Sequence, residues 1–262
     1  MGMFGNWRIR KPSEDEETVY ISEKFGVRAL HIGSETVQSA MRLSAPNDLE
    51  LSYTRSMMGF LLFNAKPKSI LMIGLGGGSI AKFIHHRMAW TRIRVLELRE
   101  SVLNVARRYF SLPDQGDRFE VILGDGAEFM SRPSVCADLI IIDGFDSQAV
   151  VESLSSIVFY QHCHDRLNKG GIMAVNLWGG EKTFHDLLKR IGHAFPAGVI
   201  CLPAEKPGNV AVFGFRGPVG PIRWEELERR ATELEARYGL AFTRFVELLR
   251  RTNDQDQQFL RF

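Results

Sequence analysis

The 262-residue sequence has little cysteine, little excess charge of either sign and no long apolar run. Its three cysteines, Cys136, Cys163 and Cys201, are widely spaced and form no pair motif, which excludes a disulfide framework and a cysteine-built zinc site. Cys136 and Cys201 sit among apolar residues and read as small buried hydrophobes. Lys and Arg number 33 against 31 Asp and Glu, and the two signs are interleaved, so no electrostatic case exists for nucleic acid. No apolar stretch approaches the ~20 residues that cross a bilayer, and Met1 to Lys11 has no signal-peptide core; a cytoplasmic protein without a membrane partner is expected. His85-His86 and the pair His162 and His164 have no companions at ligand spacing, so surface or satisfied histidines are expected rather than a metal site. Apolar residues make up 45% of the chain, enough for a sizeable core.

Against that plain background stands Ile70 to Ser79, I-L-M-I-G-L-G-G-G-S. Ile70 to Ile73 is a continuous apolar run, the pattern of a strand buried on both faces of a parallel sheet. It breaks into Gly74, Gly76, Gly77 and Gly78 before a helical pattern opens at Ser79. Such a turn lets a ligand approach bare backbone amides. The next strand, Arg92 to Leu98, carries Glu97 near its end, placed to accept hydrogen bonds from the two hydroxyls of a ribose. Phe119 to Leu123 leads into Gly124-Asp125-Gly126, and Asp138 to Ile142 into Asp143-Gly144-Phe145-Asp146. In an open α/β sheet those strand ends share one rim, so the acids should converge on a nucleoside.

The remaining pattern supports that architecture. Residues 1–17 end in an acidic cluster and read as a loose lead-in. Val19 to Ile21, Val27 to Ile32 and Thr36 to Met41 read as a small antiparallel meander, too small to stand alone. Leu49 to Phe63 reads as a helix with Asp48 as its cap. Helices at Ile80–Arg87, Val102–Tyr109, Ala127–Met130, Leu154–Leu167 and Phe184–Phe195 alternate with strands, including Ile172 to Leu177 after a Lys169-Gly170-Gly171 stop. Gly198–Leu202 and Val210–Phe215 read as a closing hairpin that adds an antiparallel strand at the sheet edge. Trp224 to Tyr238 is amphipathic, with Trp224, Leu227, Ala231 and Leu234 on one stripe. The expected fold is α/β, a doubly wound, mostly parallel seven-stranded sheet preceded by the meander. The expected divisions are 1–48 (arm and small β-domain), 49–250 (nucleoside-binding domain) and 251–262 (a polar tail, with Phe259, Leu260 and Phe262 able to dock).

From about Val19 to Trp178 the sequence resembles the spermidine synthase family of aminopropyltransferases, within the S-adenosylmethionine methyltransferase-like fold. The resemblance rests on Leu71 to Gly78, Val95-Leu96-Glu97, Gly124-Asp125-Gly126, Ile142 to Asp146, Phe159-Tyr160 and Leu167 to Gly171. Leu49 to Arg55 and Asn176-Leu177-Trp178 look like a shorter bacterial subgroup. The resemblance implies transfer of an aminopropyl group from decarboxylated S-adenosylmethionine to an amine such as putrescine, without a metal. It implies that Glu97 holds the ribose, Asp125 with Gly126 the adenine end, Gly74, Gly76 and Gly78 the nucleoside, and that Gln38 lies over it. Asp143 would be the base, with Asp146 and Tyr53 binding the amine. A homodimer would cover the N-terminal strands.

Some positions depart from the family pattern. Gly77 replaces an aspartate that grips the donor's amine, Arg99 replaces an acid, and Ser147-Gln148 follow Asp146 in place of a proline. Because Gly77 leaves room for a carboxylate, a methyltransferase using intact S-adenosylmethionine is one alternative. A non-catalytic nucleoside-binding protein, with Asp143 capping a helix, is another.

Overall fold

The computed structural model describes residues 18–132, 136–144, 152–180, 182–253 and 256–262. Its centre is a seven-stranded sheet of order β6-β5-β4-β7-β8-β10-β9, built from β4 (Ser69–Ile73), β5 (Arg92–Glu97), β6 (Phe119–Leu123), β7 (Ala137–Ile142), β8 (Leu167–Trp178), β9 (Val199–Pro203) and β10 (Asn209–Phe215). The central strands show why a continuous apolar run is needed. Ile70 and Met72 of β4 enter one core with Leu139 and Ile141 of β7, while Leu71 and Ile73 enter the opposite core with Ile140 and Ile142. Successive side chains point to opposite faces, and both faces are covered, so every position must be apolar.

The first face is covered by α1 (Ser52–Met57), α2 (Ser79–Arg87), α3 (Glu100–Tyr109), α7 (Trp224–Tyr238) and α8 (Phe242–Thr252). The other carries α4 (Gly126–Ser131), α5 (Ile157–Asp165) and α6 (Phe184–Ala194). The α7 stripe is buried as its spacing requires, with Tyr238 added. The N-terminal meander, β1 (Val19–Lys24), β2 (Val27–Ile32) and β3 (Val37–Arg42), pairs antiparallel and packs Leu30 and Met41 on Val102 and Phe110 of the α3 region. Lys82 of α2 joins the two parts: its ammonium, fully buried, donates to Phe110 O at 2.6 Å and contacts Met41 Sδ at 3.1 Å. Burial pulls its pKa down to about 8.

Several expectations change. The reversed strand β10 is not at the edge: it lies between β8 and β9, antiparallel to both, so that β9 closes the sheet. The helix expected over 49–63 starts later, at Ser52, and becomes a 3-10 turn at Met58–Leu62. Leu49 is drawn into the core and Glu50 pairs with Arg42 at 2.7 Å, while Asp48 binds Arg87 instead of capping. Lys169-Gly170-Gly171 does not end a segment; β8 runs through it with an irregular register, Gly170 taking φ +76° and donating its N–H to Arg216 O, while Arg216 N donates to Gly171 O. α5 begins at Ile157 because Ser156 caps it, accepting from Phe159 N at 3.1 Å. Cys136 is exposed at the start of β7 rather than buried. In the last residues, β12 (Phe259–Leu260) pairs with β11 (Ile222–Arg223), and Phe262 packs edge-on against Phe215.

Candidate active site

A cleft of about 820 Å3 opens along the carboxyl ends of β4, β5, β6, β7 and β8, and Gln38, Tyr53, Gly74, Gly76, Glu97, Asp125, Gly126 and Asp143 all line it. The volume suits a small-molecule ligand. The meander supplies one wall, through residues 36–39, and the turn before β10 supplies another, through Lys206, Pro207 and Asn209. Asp146 lies outside the described residues.

Glu97 is buried at the end of β5 and is held by backbone. Its Oε2 accepts from Leu75 N at 2.9 Å and its Oε1 from Arg99 N at 2.9 Å. Burial raises its pKa and the amides oppose that rise. A carboxylate has about four acceptor positions, and with the Gly76 amide also beside it the carboxylate keeps acceptor capacity for a further donor such as a ligand hydroxyl. Asp125 is the N-cap of α4: its Oδ1 accepts from Ala127 N at 2.8 Å and Glu128 N at 3.1 Å. Its helix-capping role and its position in the cleft coexist, because both caps use one oxygen. Gly126 is a close-packed position, where a Cβ would come within 2.5 Å of Ile73 Cγ2.

The glycine turn is set by two contacts. Gly74, at φ +92°, brings its Cα so near β7 that a Cβ would lie 2.3 Å from the carbonyl oxygen of Asp143. Only glycine lets the turn and the end of β7 approach this closely. Gly78, at φ +72°, opens α2. Gly77 does not open space: its Cβ direction meets Phe110 at 2.7 Å and Ser39 Oγ at 2.8 Å. Those two side chains already fill the room that the sequence suggested for a carboxylate.

Asp143 is held by side chains. Its Oδ1 accepts from Asn176 Nδ2 at 3.0 Å, and its Oδ2 lies 3.3 Å from the Tyr53 hydroxyl. That hydroxyl is also 3.4 Å from the carbonyl oxygen of Gln38, so its single proton serves one acceptor at a time. Burial raises Asp143 to about 6, with the two hydrogen bonds opposing the rise. Tyr53 is raised well above its ordinary value by its own burial and then by the neighbouring carboxylate. The Gln38 side-chain nitrogen is buried without a partner and stands at the cleft.

Sequence reasoning missed two members of this group as site residues. Asn176, on β8, follows a run of buried apolar residues, Ile172 to Val175, and that isolated amide was the available signal. Asn209 had none, because its place follows from where β10 inserts.

A family profile described as the spermine/spermidine synthase domain matches residues 50–211. A polyamine aminopropyltransferase of Chromobacterium violaceum is 44% identical over 248 residues, covering 95% of each chain. One from Neisseria meningitidis serogroup A is 39% identical over 247 residues, covering 94% of each. Among solved structures, a probable spermidine synthase from Corynebacterium glutamicum superposes with a TM-score of 0.72 at 18% identity, over 95% of this chain and 96% of that one.

Proposed function

The chain belongs to the spermine/spermidine synthase family, and on that premise we propose that it transfers an aminopropyl group from decarboxylated S-adenosylmethionine to a small di- or polyamine. The observation that carries the reading is a carboxylate raised to about 6 at the end of β7, in one cleft with two further strand-end acids. In this reading Glu97 takes the ribose hydroxyls with the acceptor positions its backbone amides leave open. Asp125 uses its second oxygen for the adenine amino group, and the glycine turn lies against the nucleoside. The sulfonium and the ammonium are both cations, and a rim of acids favours both.

An alkylammonium, with a pKa of about 10, has no lone pair to attack with until a base removes a proton. Asp143, about 6, is ionised at neutral pH and receives that proton. The amine nitrogen then bonds to the carbon of the aminopropyl arm that is attached to sulfur. The carbon–sulfur bond breaks, its electron pair returns to sulfur, and methylthioadenosine leaves neutral. Displacement depends on alignment, so holding nucleophile, carbon and sulfur in line supplies much of the acceleration. Tyr53 lies at the proton-accepting acid, and Asp146, three residues on, is assigned to the far ammonium of the amine. A homodimer that covers the meander, where Phe25 is 89% exposed at a hairpin tip, completes the proposal. No helix among the described residues is long and apolar enough to cross a membrane.

The test is product analysis by mass spectrometry after incubation with a panel of diamines and each donor in turn. Decarboxylated S-adenosylmethionine should give methylthioadenosine and an amine heavier by one aminopropyl unit. Transfer of a methyl group from intact S-adenosylmethionine, with no methylthioadenosine, would overturn the reading.

A further inference from the structure

β10 inserts beside β8 in the opposite sense, so its first residue reaches the rim where the parallel strands end. The register sets Ala211 opposite Asn176 and Asn209 opposite Trp178, so Asn176 and Asn209 share a face as diagonal cross-strand neighbours. Asn209 Nδ2 donates to Asn176 Oδ1 at 3.1 Å, and Asn176 Nδ2 donates in turn to Asp143 Oδ1 at 3.0 Å. The chain of amides has a direction. With a donor from Asn209 on its oxygen, Asn176 must turn its NH2 to Asp143; reversing it would set NH2 against NH2.

The two oxygens of Asp143 therefore differ. A proton on Oδ1 would face the Asn176 NH2, donor against donor. A proton on Oδ2 would face the Tyr53 hydroxyl, which can turn its own hydrogen to the carbonyl of Gln38, 3.4 Å away, and accept. Both protonation states are satisfied at Oδ2 with no heavy atom moving. We propose that Asn209 is a positioning residue which, through Asn176, reserves Oδ1 as an acceptor and leaves Oδ2 as the oxygen of Asp143 that takes the substrate proton. The assignment of Asp143 as proton acceptor rests on the function proposed above; the amide chain itself does not. Among the described residues, the other titratable groups lining the same cleft are Tyr53 from α1, Glu97 from β5, Asp125 at the start of α4, and Arg99 and Lys206.

The experiment reads the carboxyl directly, without turnover: 13C NMR of protein labelled at aspartate side-chain carboxyls, with Asp143→Asn to assign the resonance. Asn209→Leu removes the donor at similar volume, so the Asn176 amide can turn and accept from a protonated Oδ1. The Asp143 midpoint should then rise by roughly half a unit or more. Asn209→Gln, which keeps a donor, should restore it toward the wild-type value. An unmoved midpoint in Asn209→Leu, or an equal rise in Asn209→Gln, would reduce Asn209 to a packing residue. Should Asn209→Leu not fold, Asn209→Ala, which also removes the donor, should raise the midpoint in the same sense, and an unmoved midpoint there would overturn the proposal. A midpoint that shifts as expected in an enzyme forming no methylthioadenosine would keep the amide chain and refute only the reaction.

Discussion

Glu97 and Asp143 close the strands on either side of β4 and line the same cleft, yet they are held by different chemistry. Glu97 is gripped by the backbone amides of Leu75 and Arg99. Asp143 is gripped by the side chains of Asn176 and Tyr53. Burial raises the pKa of each. Backbone amides cannot rotate away, so Glu97 is a fixed acceptor suited to a ligand's hydroxyls. A tyrosine hydroxyl can rotate, so Asp143 can change its protonation state without losing its partners. On the proposed reading, one half of the cleft holds the nucleoside and the other exchanges a proton.

The largest expected effect tests the exchanging half. Asp143→Asn should lower turnover by about a thousandfold, the range of a lost general base, while calorimetric binding of methylthioadenosine stays nearly unchanged. Near-normal turnover would remove Asp143 from the chemistry. The holding half is tested by Glu97→Ala, which should weaken methylthioadenosine binding by roughly tenfold to a hundredfold through lost charge-assisted hydrogen bonds. An unchanged dissociation constant would take Glu97 out of the nucleoside site.

The smallest effect is on stability and has a definite sign. Asp143 binds its proton more tightly when folded, about 6, than at the ordinary carboxyl value of 3.8. Below that ordinary value both states are protonated and nothing is lost. As pH rises the unfolded chain ionises first, stability falls, and the penalty is complete above about 6. Two units amount to at most about 3 kcal/mol, and exposure to the cleft reduces this to ~1–2 kcal/mol. Asp143→Asn should therefore be more stable than wild type in urea at pH 8, with the advantage gone near pH 3. Equal stability at both values would mean the carboxyl is not strained by burial.

The same contrast marks what could be read from the residues in order. The holding half follows from local pattern: an apolar run, then glycines; another run, then Glu97; another, then Asp125. Parallel strands put their ends on one rim, so chain order alone brings those acids together. Asp143 was legible for the same reason. Its contacts were not, because each depends on packing between distant segments; Tyr53 was expected at the site through the family resemblance, as an amine-binding residue, and not as a partner of Asp143. Tyr53 faces Asp143 only because Leu49 and Glu50 are held ahead of a helix that starts at Ser52. Asn209 reaches Asn176 only because β10 inserts inside the edge strand, a placement that turn residues at 207–209 do not encode. Cys136 was misread on its apolar neighbours, since the first residue before a buried strand need not share its burial.

The account is tested most directly by a crystal structure with methylthioadenosine and a diamine bound together. It should show both ribose hydroxyls on Glu97 and the attacking nitrogen within hydrogen-bond distance, about 3 Å, of Asp143 Oδ2, with Oδ1 still bonded to Asn176. A nucleoside bound away from Glu97, or an amine seated out of reach of Asp143, would contradict it.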